Sequence, residues 1–242
     1  MWGIIPAAGK GSRIQPLAFS KELLPVGGRS DGGVERPRAV SDYLVERLVI
    51  GGASRVCFII GPGKSDIVEY YGADAHSVPV CYVVQPQPAG LCDALFRALP
   101  LIHPSEQVLV GLPDTIWFPE DGLRRLPDDQ LSFLLFPVER PELFDAVVTD
   151  DTGAVAEIQV KQPGARSQWI WGAFKMPGYV LRELFDLWCE RSRRDEYIGT
   201  LVNAFLARGG RASAARAGTS YNDVGTLEGY REAMLSLRSV PA

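Results

Sequence analysis

Histidine is nearly missing from this sequence: His76 and His103 are the only two among 242 residues. They stand far apart in loop-like stretches, which argues against a histidine-built zinc site and leaves a carboxylate-bound hard cation as the metal to consider. Cysteine is scarce as well. Cys57, Cys81, Cys92 and Cys189 form no C-x-x-C pair, and the first two fall inside apolar runs, so they read as reduced core thiols of a cytoplasmic protein. No apolar run approaches the roughly 18 to 20 residues that a membrane span requires, and no charged segment with a long apolar one behind it precedes the first strand. Concentrated positive charge is lacking too: the formal net charge is −4, the pI is near 5.3, and the densest basic run is Arg191, Arg193 and Arg194 in a predicted helix. Neither membrane nor nucleic acid is expected as a partner.

What is present suffices for one main core, since 46% of the residues are hydrophobic and the length suits a single domain over 1–242. Short apolar runs at 2–7, 56–60, 80–84 and 108–112 read as strands, alternating with helices at 39–50, 65–71 and 91–99. Continuous hydrophobicity implies burial on both faces, hence a doubly wound parallel sheet with ligands outside the carboxyl ends of its strands. Further strands are expected at 131–138, 146–148, 155–160 and 169–175, with a hairpin turn at Asp150-Asp151-Thr152-Gly153. Helices at 177–191 and 197–208, a short strand at 211–216 and a closing helix at 227–237 complete the pattern. The run GGRSDGGVERP from Gly27 to Pro37 reads as a polar surface loop, either a lid or an ordinary insertion.

The most informative segment is Ile4-Ile5-Pro6-Ala7-Ala8-Gly9-Lys10-Gly11-Ser12-Arg13, followed by Lys21-Glu22-Leu23-Leu24-Pro25-Val26. A buried strand enters a turn whose small residues, Ala7, Ala8, Gly9 and Gly11, let the backbone approach a charged ligand, while Arg13 and Lys21 supply cations. Triphosphate chemistry needs both. The segment is neither a Walker loop nor the dinucleotide fingerprint, because the third glycine of G-x-G-x-x-G falls on Ile14.

Gln85 ends a strand in Gln85-Pro86-Gln87-Pro88-Ala89-Gly90. Its amide carries donor and acceptor together, matching the imide edge of uracil or thymine, and Gly90 would let a base approach the backbone. Asp114 follows a buried strand and Asp223 lies in a glycine-terminated turn. Alone they read as an N-cap and a turn residue, but together with the loop they can hold one Mg²⁺ and, through it, phosphate oxygens. Glu22 reads as structural or solvated, and Asp93 as a helix-dipole residue. Trp169 and Trp171 share a strand face, as a pocket wall or as packing.

The chain resembles the sugar-1-phosphate nucleotidylyltransferases, the family of glucose-1-phosphate thymidylyltransferases and UTP–glucose-1-phosphate uridylyltransferases. GKGSR with KELLPV, then RVCFIIGPGKSDIVEYYG, VVQPQPAGLCDAL, LVGLPDTIW and YNDVGTLEGYREA carry the likeness, in the family's order. The resemblance implies a Rossmann-like, glycosyltransferase-A-type α/β fold, a mixed sheet with helices on both faces. Residues 1 to about 125 would bind nucleotide and the remainder sugar phosphate. It implies direct attack of a sugar-1-phosphate oxygen on the α-phosphorus of UTP or dTTP, with pyrophosphate expelled and Mg²⁺ as cofactor. Gly9 and Gly11 would line the triphosphate loop, Arg13 would hold pyrophosphate and Lys21 would neutralise charge. Gln85 and Gly90 would contact the base, and Asp114 and Asp223 would hold the metal. Lys161 would bind the sugar phosphate, and Gly172 would line the sugar pocket. Homo-oligomers are compatible with this reading, as is a catalytically silent nucleotide-sugar-binding regulator.

Two departures stand out. Family members often read Glu-Lys-Pro where this chain has Val160-Lys161-Gln162-Pro163, and valine cannot accept a hydrogen bond from a sugar hydroxyl. Either another residue takes over or the acceptor is a different phosphate, such as phosphocholine or a cyclitol phosphate. The connection from Arg13 to Lys21 is also shorter than the family's by about two residues, and the 27–37 segment is longer.

Overall fold

Trp2-Gly3-Ile4-Ile5-Pro6-Ala7 contains no charged side chain, so it can be enclosed on both faces and both edges. The computed structural model, which describes residues 1–238, places this strand, β1 (Trp2–Ala7), at the centre of the sheet, parallel to both of its neighbours. The chain continues through β2 (Pro25–Asp31), β3 (Val34–Ala39), α1 (Val40–Ile50), β4 (Arg55–Ile60), α2 (Ser65–Tyr71), β5 (Asp74–Ala75), β6 (Val78–Val84) and α3 (Gly90–Arg97). Next come β7 (Gln107–Gly111), β8 (Thr115–Phe118), β9 (Leu131–Pro137), β10 (Asp145–Thr149), β11 (Val155–Val160) and β12 (Trp169–Pro177). The last elements are α4 (Gly178–Glu190), α5 (Ile198–Ala207), β13 (Ala212–Ala215), β14 (Ser220–Asp223) and α6 (Leu227–Arg238). No helix is long and apolar enough to cross a membrane among the described residues.

The large sheet runs β11-β10-β12-β7-β1-β4-β6-β5, with β9 on the other edge of β12 and β13 beside β9. The parallel sheet expected from the first half holds for β7, β1, β4 and β6, but β12 enters antiparallel to β7 and to β9, so the whole is mixed. Period-two alternation sends neighbouring side chains to opposite cores. Ile4 and Ile59 pack with α3, α4 and α5 on one face. Ile5 and Phe58 pack with α1 and α2 on the other.

Residues 27–37 correct the loop expectation. They belong to an antiparallel ribbon, β2 with β3, in which Asp31 pairs with Val34 across Gly32 and Gly33 at φ 57° and 83°. Two consecutive glycines with positive φ make the tight turn that a twisted hairpin prefers. The Tyr43 hydroxyl donates to the Val26 carbonyl at 2.9 Å and Tyr230 to that of Pro25 at 3.2 Å, which ties the ribbon to α1 and α6. None of residues 27–37 lines the cleft described below, so the lid reading finds no support.

Two short strands escape the sequence pattern, and they matter most for the site. Among the described residues, β8 and β14 pair only with each other, antiparallel, with Asp223 opposite Thr115. The Val224 N–H donates to the Asp114 carbonyl at 2.8 Å, extending the ladder to the next residue on each side.

Gly90 opens α3 at φ +84°, and a Cβ there would stand 2.7 Å from both the Cα and the carbonyl oxygen of Glu196. Gly90→Ala is expected to cost more than about 2 kcal/mol, since a backbone clash adds to the left-handed penalty. Gly209 has the same conformation with open space around it, so Gly209→Ala should cost only about 1 kcal/mol. Urea denaturation of the two variants checks the difference.

Candidate active site

The carboxyl ends of β1, β6 and β7 open into one cleft of about 1170 Å³, which the strand order places at the seam between the parallel strands and β12. Ala8 and Gly9 line it from the end of β1, Gln85 from β6, and Asp114 from just past β7. Ala7 is sealed beneath, with no exposed surface. Gly11 does not line the cleft, yet a Cβ there would meet the Lys21 stem at 2.8 Å. Its role is to let Lys21 through.

Lys21 Nζ donates to Asp114 Oδ2 at 2.5 Å, and Arg13 Nη1 to Asp223 Oδ2 at 2.7 Å. Residues 210 positions apart in the chain thus meet at one point. A Cβ on Gly225 would lie 2.7 Å from Asp114 Oδ2, 2.9 Å from Asp223 Oδ1 and 3.0 Å from Arg13 Nη2. The missing side chain of Gly225 thus lets the two carboxylates and the Arg13 guanidinium converge. No group of three histidine, cysteine, aspartate or glutamate residues able to hold a metal occurs among the described residues. Two protein carboxylates fit Mg²⁺, which completes its shell with phosphate oxygens and water.

Burial alone would raise the Asp114 carboxyl, but Lys21 and, more weakly, Arg13 reverse that and hold it below its usual value. Burial likewise disfavours the charged Lys21 ammonium, and Asp114 overcomes it, leaving Lys21 above its usual value. Glu22 is fully buried and receives Lys64 Nζ on both oxygens at 2.8 Å. Even so, burial outweighs Lys64 and Lys21 and keeps its carboxyl raised. The structural alternative for Glu22 therefore holds, and the solvated one does not.

At the end of β6, Gln85 is 3% exposed and donates to Asp93 Oδ2 at 2.8 Å and to the Gly90 carbonyl at 3.2 Å. Gly90 itself lines the cleft, and its missing side chain also makes room for the Glu196 backbone. Asp93 does more than face a helix dipole: Arg97 holds it at 3.0 and 3.2 Å.

On the far side, Lys161 has φ +44° and lies over the Tyr197 ring, 4.6 Å from its centre, with Nζ 3.5 Å from the Tyr197 hydroxyl. Gly172 does not line the cleft; a Cβ there would strike the rings of Tyr221 and Phe136 at 2.6 and 2.7 Å. It shapes the wall by letting Tyr221 lie flat against β12. Trp171 lines the cleft, and its ring packs 5.5 Å from that of Phe174 on its own strand and not against a helix, while Trp169 does not line the cleft. Asp145 was absent from the sequence reading and lines the cleft too. It pairs across the β10–β11 ladder with Val160, accepts from Trp171 Nε1 at 3.3 Å, and burial raises its carboxyl against the pull of that bond and of Lys161. Nothing in Leu143-Phe144-Asp145-Ala146 signals this; only strand register does.

The depressed Asp114 carboxyl contributes stability above its unfolded value near 3.9, lost as pH falls through the folded value. The raised Lys21 contributes below about 10.4, lost as pH rises through its folded value. Wild type should melt above Asp114→Asn by a constant margin from about pH 5 to 9, closing below about pH 4. Paired thermal melts across pH test this.

A family model described as nucleotidyl transferase matches residues 2–240. A UTP–glucose-1-phosphate uridylyltransferase of Haloferax volcanii is 26% identical over 96% of this chain and 95% of its own. A glucose-1-phosphate thymidylyltransferase of Mycolicibacterium smegmatis is 26% identical over 99% of this chain and 83% of its own. A Bacillus anthracis structure described as a glucose-1-phosphate thymidylyltransferase superposes with a TM-score of 0.82 at 24% identity, covering 99% and 96% of the two chains. UTP-bound UGPase from Acinetobacter baumannii superposes at 0.76 with 19% identity, covering 97% and 92%. With its mixed sheet and its cleft at the strand ends, the chain belongs to the nucleotidyl transferase family.

Proposed function

We propose that this cleft transfers a uridylyl or thymidylyl group from UTP or dTTP to a sugar-1-phosphate, giving an NDP-sugar and pyrophosphate. The observation that carries the reading is the pairing of two cations with two carboxylates that Gly225, lacking a side chain, lets converge. Asp114 and Asp223 would hold Mg²⁺, which would supply charge neutralisation to the triphosphate. Residues 1 to about 125 bring Arg13, Lys21, Gln85 and Asp114 to the nucleotide, and the later part brings Lys161 to the acceptor phosphate.

The chemistry asks for positioning and charge compensation, not proton transfer. An acceptor phosphate oxygen, already anionic near neutral pH, forms a bond to the α-phosphorus while the bond to the bridging oxygen of pyrophosphate breaks. Arg13 faces the departing pyrophosphate, and Lys21 meets the charge that gathers on the α-phosphate oxygens. Scarce histidine is no handicap here.

Asp145 supports a polyhydroxylated acceptor. It puts a carboxylate across the strand pair from Val160, within the same wall as Lys161 and Trp171. A raised carboxyl with one weak donor can accept from sugar hydroxyls.

Pyrophosphate release, screened over triphosphates against sugar-1-phosphates, phosphocholine and a cyclitol phosphate, is the direct test. Turnover should appear with UTP or dTTP and a sugar-1-phosphate, and activity confined to the non-sugar acceptors would overturn that choice. Lys21→Ala is expected to lower kcat by about 10²- to 10³-fold. Gly225→Ala should abolish turnover, because its methyl group would stand within 3.0 Å of Asp114 Oδ2 and Asp223 Oδ1 and force the two carboxylates apart. Asp145→Ala should raise the acceptor KM about tenfold and leave the nucleotide KM unchanged.

A further inference from the structure

Gln85 has one orientation available. The two atoms that its amide meets, Asp93 Oδ2 at 2.8 Å and the Gly90 carbonyl oxygen at 3.2 Å, belong to a carboxylate ion-paired with Arg97 and to a peptide carbonyl. Both can only accept, so the group between them must be the NH₂. With both N–H bonds spent, the free end of the amide is Oε1. It accepts no hydrogen bond among the described residues, and it is not one of their sealed, unpartnered side-chain atoms. Gln85 lines the cleft, so this oxygen is the polar group it turns toward a ligand.

We infer that Asp93 is a positioning residue that locks Gln85 as a pure acceptor, so that the site takes a pyrimidine carrying N–H at ring position 3 and rejects cytosine. This rests on the proposal that Gln85 reads the base. It narrows that proposal, because an amide free to turn could serve either partner: oxygen toward the N3–H of uracil or thymine, nitrogen toward the bare N3 of cytosine. Held by Asp93, it meets cytosine lone pair to lone pair, leaving two buried acceptors without a donor. Arg97 shares Asp93 Oδ2 with Gln85, its Nε donating there at 3.2 Å while Nη2 holds Oδ1 at 3.0 Å, and it does not line the cleft. It balances the carboxylate, while orientation comes from Asp93 itself.

The experiment is the ratio of kcat/KM for UTP over CTP, with one acceptor, in wild type, Asp93→Leu, Asp93→Ala, Arg97→Leu and Gln85→Ala. Each ratio comes from a single sample, so a fraction of misfolded protein cancels. Wild type should favour UTP, and dTTP with it, by tenfold or more, and both Asp93 variants should cut that preference about tenfold. Arg97→Leu should keep it. A wild type that uses CTP as well as UTP overturns the lock, as does a preference that survives both Asp93 variants while Gln85→Ala removes it. A preference that survives Gln85→Ala overturns the base-reading proposal itself. Calorimetric titration of UTP and CTP makes the same comparison without turnover, so the lock is read even if the proposed reaction fails.

Discussion

Two carboxylates that converge on one small volume would repel each other and lose hydration, and most of the cleft is arranged to make their proximity tolerable. Asp114 and Asp223 come together because β8 and β14 pair, residue by residue, with the Val224 amide bonded to the Asp114 carbonyl. Their charge is met by Lys21 and Arg13. Gly11 clears the path of one cation, and Gly225 lets the anions converge. Charge compensation, backbone pairing and the absence of two side chains are one constraint seen from three sides.

The sheet explains why this point lies where it does. Parallel strands end together, and their ends bring the N-terminal loop, Gln85 and Asp114 to one rim. The reversal at β12 then carries the chain back across that rim, placing Trp171 and, through β10 and β11, Asp145 and Lys161 opposite. A purely parallel sheet would bury one wall only. The change of direction supplies the second.

Much of this was legible in the residues. The apolar run Val56–Ile60 sits in a strand because it is buried on both faces, whereas Val155–Val160 carries Glu157 and Gln159 and is only partly enclosed. The N-terminal wall of the cleft is visible in the residues because glycine and cation chemistry cluster locally there. What stayed hidden depends on register. Thr115–Phe118 and Ser220–Asp223 are too short for periodicity to speak, and they pair over a hundred residues apart. Asp145 looks like any strand-end aspartate until its cross-strand neighbour is known to be Val160. Asp93 looked like a dipole residue because the amide it holds lies eight positions away, across a turn. Residues 27–37 read as a loop because their glycines and charges outvote Val34, while the anchors of the ribbon lie in α1 and α6.

The β8–β14 ladder has a temporal side. Among the described residues β8 has no other strand partner, and its mate comes from residues 220–223, followed by the helix whose Tyr230 and Leu237 rest on β2. A growing chain can lay down the parallel core and both walls of the cleft while Asp114 and Lys21 still lack the second ion pair. The partner of β8 is made more than a hundred residues after it, so a shorter nascent chain can hold Lys21 on Asp114 without the Arg13–Asp223 pair beside them.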